Sequence, residues 1–183
     1  MWVSTRLSRG YAGTLSAAQE SAFAPGLSFA GKSVLDVGCN CGIVAYEISK
    51  QAPKLIHGVD IEPRCIFTAR MIFQGVPVES RFDCVDLGNE RKLTAAIRDD
   101  YEVVLFLRVY KQLRRRHGEA KARAAVTHIA RHTIGTMIAK VRGRLMAEEV
   151  VPAAAAGGLG KVEHLTDANG QPIEIAVFSR TGG

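Results

Sequence analysis

No stretch of this 183-residue chain is long and apolar enough to cross a bilayer, which takes about 20 residues. Its first 20 residues, MWVSTRLSRGYAGTLSAAQE, hold no acid before Glu20 and lack the apolar core of a secretory signal. Residues 1–30 are therefore expected to form a helical or mobile N-terminal segment. Cysteine is scarce. Cys39, Cys41, Cys65 and Cys84 do not make a disulfide framework at this length, and reduced thiols in the cytoplasm fit better. No second Cys or His pair stands at zinc spacing from the C-x-C of Cys39 and Cys41, so no metal is expected. Repeats, low-complexity linkers and long insertions are all missing, which makes one domain over 1–183 the simplest reading. An aromatic-rich recognition module is missing too, so sequence-specific reading of nucleic acid would need help.

What is present is ordinary for a soluble globular protein, with 47% hydrophobic and 23% charged residues. Lys and Arg exceed Asp and Glu by 24 to 18, and the resulting charge of +6 suggests an anionic partner. Short apolar runs suit strands buried on both faces: SVLDV, KLIHGVD, YEVVLFL and GTMIAKV, with a weaker PVESRF between the second and third. Helical patterns separate them. GIVAYEISKQ follows the first strand, and EPRCIFTARMIF opens on an acid and a first-turn proline. EAKARAAVTHIARH gathers Ala122, Ala125, Val126, Ile129 and Ala130 on one face. Alternation of strand and helix predicts a parallel sheet covered on both sides. KVEHL and PIEIAVFSR, joined across Asn169-Gly170, predict a closing antiparallel hairpin.

The stretch VLDVGCNCG, Val34 to Gly42, follows a buried strand with a turn that no packed core requires. Gly-x-Gly-x-x-Gly is absent, which disfavours a nicotinamide dehydrogenase. Asp36 lies inside the strand, where burial is costly without a partner. Asp60 ends the second strand at the distance expected of a ribose-binding acid.

With VLDVGCNCG, the acid in GVDIEP, the acid in FDCVDL and the fourth strand YEVVLFLRVYKQL, the chain resembles the class I S-adenosylmethionine-dependent methyltransferases from about Gly31 to Arg180. The resemblance implies an α/β fold with a seven-stranded, mostly parallel sheet of order 3-2-1-4-5-7-6, helices on both faces and an antiparallel C-terminal hairpin. It also implies S-adenosyl-L-methionine as cofactor. Asp36, Gly38, Cys39, Asn40 and Gly42 would wrap its methionine part, and Asp60 would take the ribose with Ile61 beside the adenine. Asp86 would accept from the adenine amino group next to Leu87, with Asp83 a rival for that role, and Leu107 would close the site from the fourth strand. Asn40 departs from the glycine many members have there.

FLRVYKQLRRRH leaves the end of the fourth strand beside the expected methyl group, and resembles the FLxVYxxL pattern of several methyltransferase groups, some acting on tRNA. Lys111 and Gln112 replace histidines that many of those have, which puts an inherited catalytic base in doubt. Tyr110 is a candidate for positioning a nucleophile and Arg108 for holding an anionic group, against the plainer roles of pocket cap and solvated cation. The basic run from Arg108 through Arg114, Arg115, Arg116 and Lys121 to Arg123 contains Glu119 as its one acid. A solvated helix is the usual meaning of such a run, but its place on the site rim favours an anionic acceptor, a small molecule or RNA. His57 reads as a core histidine, and His128 and His132 as a partly solvated helix face. The functional expectation is methyl transfer to that acceptor. The alternative is a noncatalytic cofactor-binding or partner-activating subunit.

Overall fold

Alternation along each central strand sends side chains to two different cores. From β1 (Ser33–Val37), Val34 joins one buried cluster while Leu35 and Val37 join another. β4 (Tyr101–Leu107) divides Val103 and Leu105 from Val104 and Phe106 in the same way. These strands are apolar on both faces because helices cover both faces. The computed structural model describes residues 28–166, 169 and 172–181; most of the segment expected over 1–30, and Gly170 of the hairpin turn, lie outside them.

The remaining strands are β2 (Leu55–Asp60), β3 (Glu79–Cys84), β5 (Thr133–Lys140), β6 (Lys161–Thr166) and β7 (Pro172–Ser179). All seven form one sheet of order β3-β2-β1-β4-β5-β7-β6, as the resemblance implied. β1 pairs in parallel with β2 and β4, and β7 runs antiparallel to both β5 and β6.

One face carries α1 (Ile43–Ser49) and α2 (Pro63–Phe73), whose Val44, Ala45, Ile48, Ile66, Ala69 and Phe73 are buried against it. Glu62 caps α2 by accepting from the Arg64 N–H, and Pro63 occupies the first turn, where it forfeits no hydrogen bond. The other face carries α3 (Glu90–Ala96), α4 (Tyr110–His117) and α5 (Glu119–Arg131). The Ala-rich face of α5 predicted by the periodicity is fully buried. Three elements were not separated in the sequence: α3, capped by Asn89; α4 as a helix of its own; and a π-helical turn Met146–Val150 running into α6 (Val151–Ala156).

Candidate active site

The β1–α1 loop is shaped by three residues in the left-handed region: Gly38 (φ 75°), Asn40 (φ 49°) and Gly42 (φ 77°). Gly38 and Cys39 both donate to the Val59 carbonyl, hooking the loop over the end of β2. Asn40 tolerates this conformation because its own side chain stays local, with Oδ1 accepting from the Cys41 N–H (2.7 Å) and from the Cys65 thiol. That explains how Asn holds a position where the resemblance leads one to expect glycine. At Gly38 a Cβ would overlap Val109, so the missing side chain makes room for the β4–α4 turn. Gly42 does not border the cavity. It caps the start of α1, and a Cβ there would press on Ala69 of α2, so the missing side chain serves helix packing.

Beyond the carboxyl ends of β1, β2 and β4 opens a cavity of about 740 Å³. Of the expected cofactor residues, Asp36, Gly38, Cys39, Asn40, Asp60, Ile61, Asp86, Leu87 and Leu107 all border it. Asp60 is preset. One carboxylate oxygen accepts from the Asn40 N–H and the other from the Glu62 N–H, each at 2.9 Å. Each oxygen keeps a lone pair for an incoming hydroxyl. Asp36 is only 3% exposed, and its Oδ2 has no hydrogen-bond partner among the described residues. Burial, then the neighbouring Asp60 charge, raises its pKa to about 7. Ile61, 40% exposed, offers the cavity an apolar face. Asp86 accepts from the Gly88 N–H at 3.0 Å, and His117 Nε2 lies 2.9 Å from the same oxygen, close enough for an ion pair but not aligned as a hydrogen bond. Asp83, the rival to Asp86, is off this wall: it pairs with His57 and Arg81.

The opposite wall is Arg108 and α4. Arg108 is exposed and holds a left-handed φ of 62°, uncommon for arginine and frequent at functional sites. Gln112, Leu113, Arg115, Arg116 and His117 of α4 complete the wall. Tyr110 corrects an expectation. Its ring is fully buried and its hydroxyl donates to Glu149 Oε2 (2.6 Å), so it anchors α4 instead of facing a nucleophile. The hydrogen bond to a buried carboxylate and the burial itself both push the Tyr110 pKa up, with burial the larger cause. Arg114 is likewise committed, its Nε donating to both Glu149 oxygens (2.8 and 2.9 Å) and Nη2 to Glu119. Glu149 and His117 were missed in the sequence. His117 ends the basic run itself, whereas Glu149 sits in MAEEV with nothing local to mark it.

The other singled-out residues lie elsewhere. His57 is in the core, its Nδ1 accepting from the Tyr101 hydroxyl and from Arg81 while Nε2 donates to Asp83, a pattern that requires the neutral ring. Burial, with Arg81 adding to it, lowers its pKa to about 4. The rings of His128 and His132 lie 4.8 Å apart and tilted by 51°; His128 Nε2 donates to Ile97 O, and His132 Nδ1 lies 3.3 Å from Asp100 without the alignment of a hydrogen bond. The four cysteines are unpaired, two of them buried, and burial pushes the Cys39 thiol well up. Among the described residues no group of three or more His, Cys, Asp or Glu is placed to hold a metal, and no helix is long and apolar enough to cross a membrane.

No protein-family model matches the chain, and no curated protein matches it in sequence. Solved structures do match in shape. The bifunctional kinase-methyltransferase WbdD is 16% identical with a TM-score of 0.62, the match covering 81% of this chain and 34% of that one. This chain thus spans about a third of WbdD. The sugar N-methyltransferase KedS8 from Streptoalloteichus sp ATCC 53650 is 18% identical with a TM-score of 0.68, covering 96% of this chain and 92% of its own. Magnesium protoporphyrin IX methyltransferase (ChlM) from Synechocystis PCC 6803, with bound SAH, is 15% identical with a TM-score of 0.62, covering 99% and 90%. The chain has the class I S-adenosylmethionine-dependent methyltransferase fold. The acceptors in those names differ widely, so the fold does not choose one.

Proposed function

We propose that this chain is a methyltransferase that binds S-adenosyl-L-methionine in the 740 Å³ cavity and methylates an anionic acceptor, a small molecule or RNA. The observation that carries the reading is Asp36: a buried carboxylate with an unpartnered oxygen, beside a second acid, on the wall of a cavity. A cationic ligand relieves both the missing hydrogen bond and the repulsion. The cofactor's amino group and sulfonium supply such charge. Asp60 suits the ribose hydroxyls, because its backbone donors already fix the carboxylate. Asp86 suits the adenine amino group, with Ile61 and Leu87 as apolar neighbours.

When bound, the cofactor supplies an activated methyl group, and the chain's own task is to align an acceptor and exclude water. Arg108, Arg115 and Arg116 would hold an anionic acceptor, with Gln112 as a neutral hydrogen-bonding neighbour. An oxyanion nucleophile has no proton to lose and requires no base, whereas a hydroxyl or N–H acceptor on RNA would release its proton to solvent as the methyl group is taken up. The reduced cysteines are in keeping with a cytoplasmic setting. One observation favours the noncatalytic alternative, in which the chain binds cofactor to support a partner: the Tyr110 hydroxyl is occupied by Glu149. A methylation screen with labelled S-adenosylmethionine, over small phosphates, carboxylates and bulk RNA, separates the two. Turnover on any of these supports the enzyme. Cofactor binding without turnover on any of them supports the partner subunit.

A further inference from the structure

A second cavity, of about 750 Å³, lies between α3 and α5 beside the first. Asp86, Leu87 and His117 border both cavities. His117 is the partition: its ring rests on the backbone of Gly88 so closely that a Cβ there would overlap it. Arg91 enters the second cavity from α3, and Lys121 and Arg131 enter from α5. Among the described residues these three have no carboxylate within 4.0 Å, although Arg114 and Arg123 nearby are both paired. The acids on the wall are Glu90 and Asp86, and Asp86 is already engaged by Gly88 and His117. His128 also borders the cavity, with Nε2 held by Ile97 O. No Phe, Tyr or Trp is on the wall, so it offers charge without a stacking platform.

Past His117 the same sign continues with Arg116 and Arg115 in the first cavity. A single phosphate needs one or two such cations. A row of exposed cations along two neighbouring cavities that share a wall at His117 fits a chain of phosphates instead. We propose that the α3–α5 groove holds the phosphodiester backbone of a nucleic-acid strand whose modified nucleotide enters the first cavity. This rests on the methyltransferase reading and narrows its acceptor to a polymer. RNA and DNA share the backbone chemistry, so the test carries an arm for each.

The test titrates fluorescent single-stranded RNA and DNA oligonucleotides of mixed sequence over a range of salt. It uses the wild type, a groove variant (Arg91→Glu, Lys121→Glu, Arg131→Glu) and a control variant with the same change of charge (Lys54→Glu, Arg98→Glu, Lys161→Glu). The control cations are exposed, Lys54 and Arg98 shortly before β2 and β4 and Lys161 at the start of β6, and none of them borders either cavity. Removing three phosphate contacts should weaken binding about tenfold or more and flatten the log–log salt dependence by about 2, with the control near wild type. Whichever arm shows this, RNA, DNA or both, identifies the strand. Equal losses in groove and control variants would reduce the effect to net charge and overturn the proposal. Competition by a nucleoside monophosphate as strong as by the oligonucleotide would overturn it in favour of a single-phosphate site. Binding of S-adenosylhomocysteine is measured on the same three proteins. If it persists while wild type ignores both strands, the groove proposal fails alone; if it is absent, the methyltransferase reading fails as well.

Discussion

A carboxylate shut away from water holds its proton more tightly, and Asp36 does so up to about pH 7 through burial first and Asp60 second. Its ordinary value is 3.8, so between the two values the folded chain keeps a proton that the unfolded chain has released. The Asp36 contribution to stability is therefore favourable at low pH and declines as pH rises through that window. A cationic cofactor amino group acts in the opposite sense, because it stabilises the ionised carboxylate and expels the proton. Cofactor affinity should accordingly rise from about pH 5 to about pH 7 and then level off. Asp36→Asn keeps the shape but cannot ionise, so it should raise the melting temperature above wild type near pH 8 and abolish the pH dependence of binding. Thermal melts and calorimetry over that range check both. A wild-type affinity that is flat in this interval would contradict the assignment.

Helix α4 presents two faces with different duties. One is tied down by Glu149, which is 5% exposed and accepts from both Tyr110 and Arg114. Glu149→Ala leaves a buried hydroxyl and a guanidinium without their acceptor, and should cost about 3 kcal/mol in urea denaturation. A cost below about 1 kcal/mol would mean that α4 is held by its apolar contacts alone. The other face carries Arg115 and Arg116 on the cavity wall. Changing both to Glu should abolish most turnover on an anionic acceptor and spare cofactor affinity, while Arg114→Glu should instead lower the melting temperature. The three arginines are indistinguishable in RRRH. What separates them is a glutamate 35 residues further on, brought near by a π-helical turn that has no local signature.

For the whole molecule, the elements that were legible are those whose sequence is explained by neighbours in the chain. β1 and β4 were readable because burial on both faces leaves no polar alternation, and α2 because Glu62 and Pro63 mark its start. The order of the sheet and the acids at its strand ends followed from the resemblance carried by VLDVGCNCG. α3 was not legible, being seven residues long with one buried side chain, Leu93. Gly42 and Tyr110 were placed by motif position, and their actual surroundings, Ala69 and Glu149, come from elements distant in sequence. The acceptor stays outside what a fold can specify. The cavity's cofactor is the claim on which all else depends, and calorimetric titration of S-adenosylhomocysteine, with NAD as comparator, tests it most directly. The account predicts one site on the wild type, no heat with NAD, and binding to Asp60→Ala weakened by about 2 kcal/mol, roughly 30-fold. No binding of S-adenosylhomocysteine, or wild-type affinity in Asp60→Ala, would contradict it.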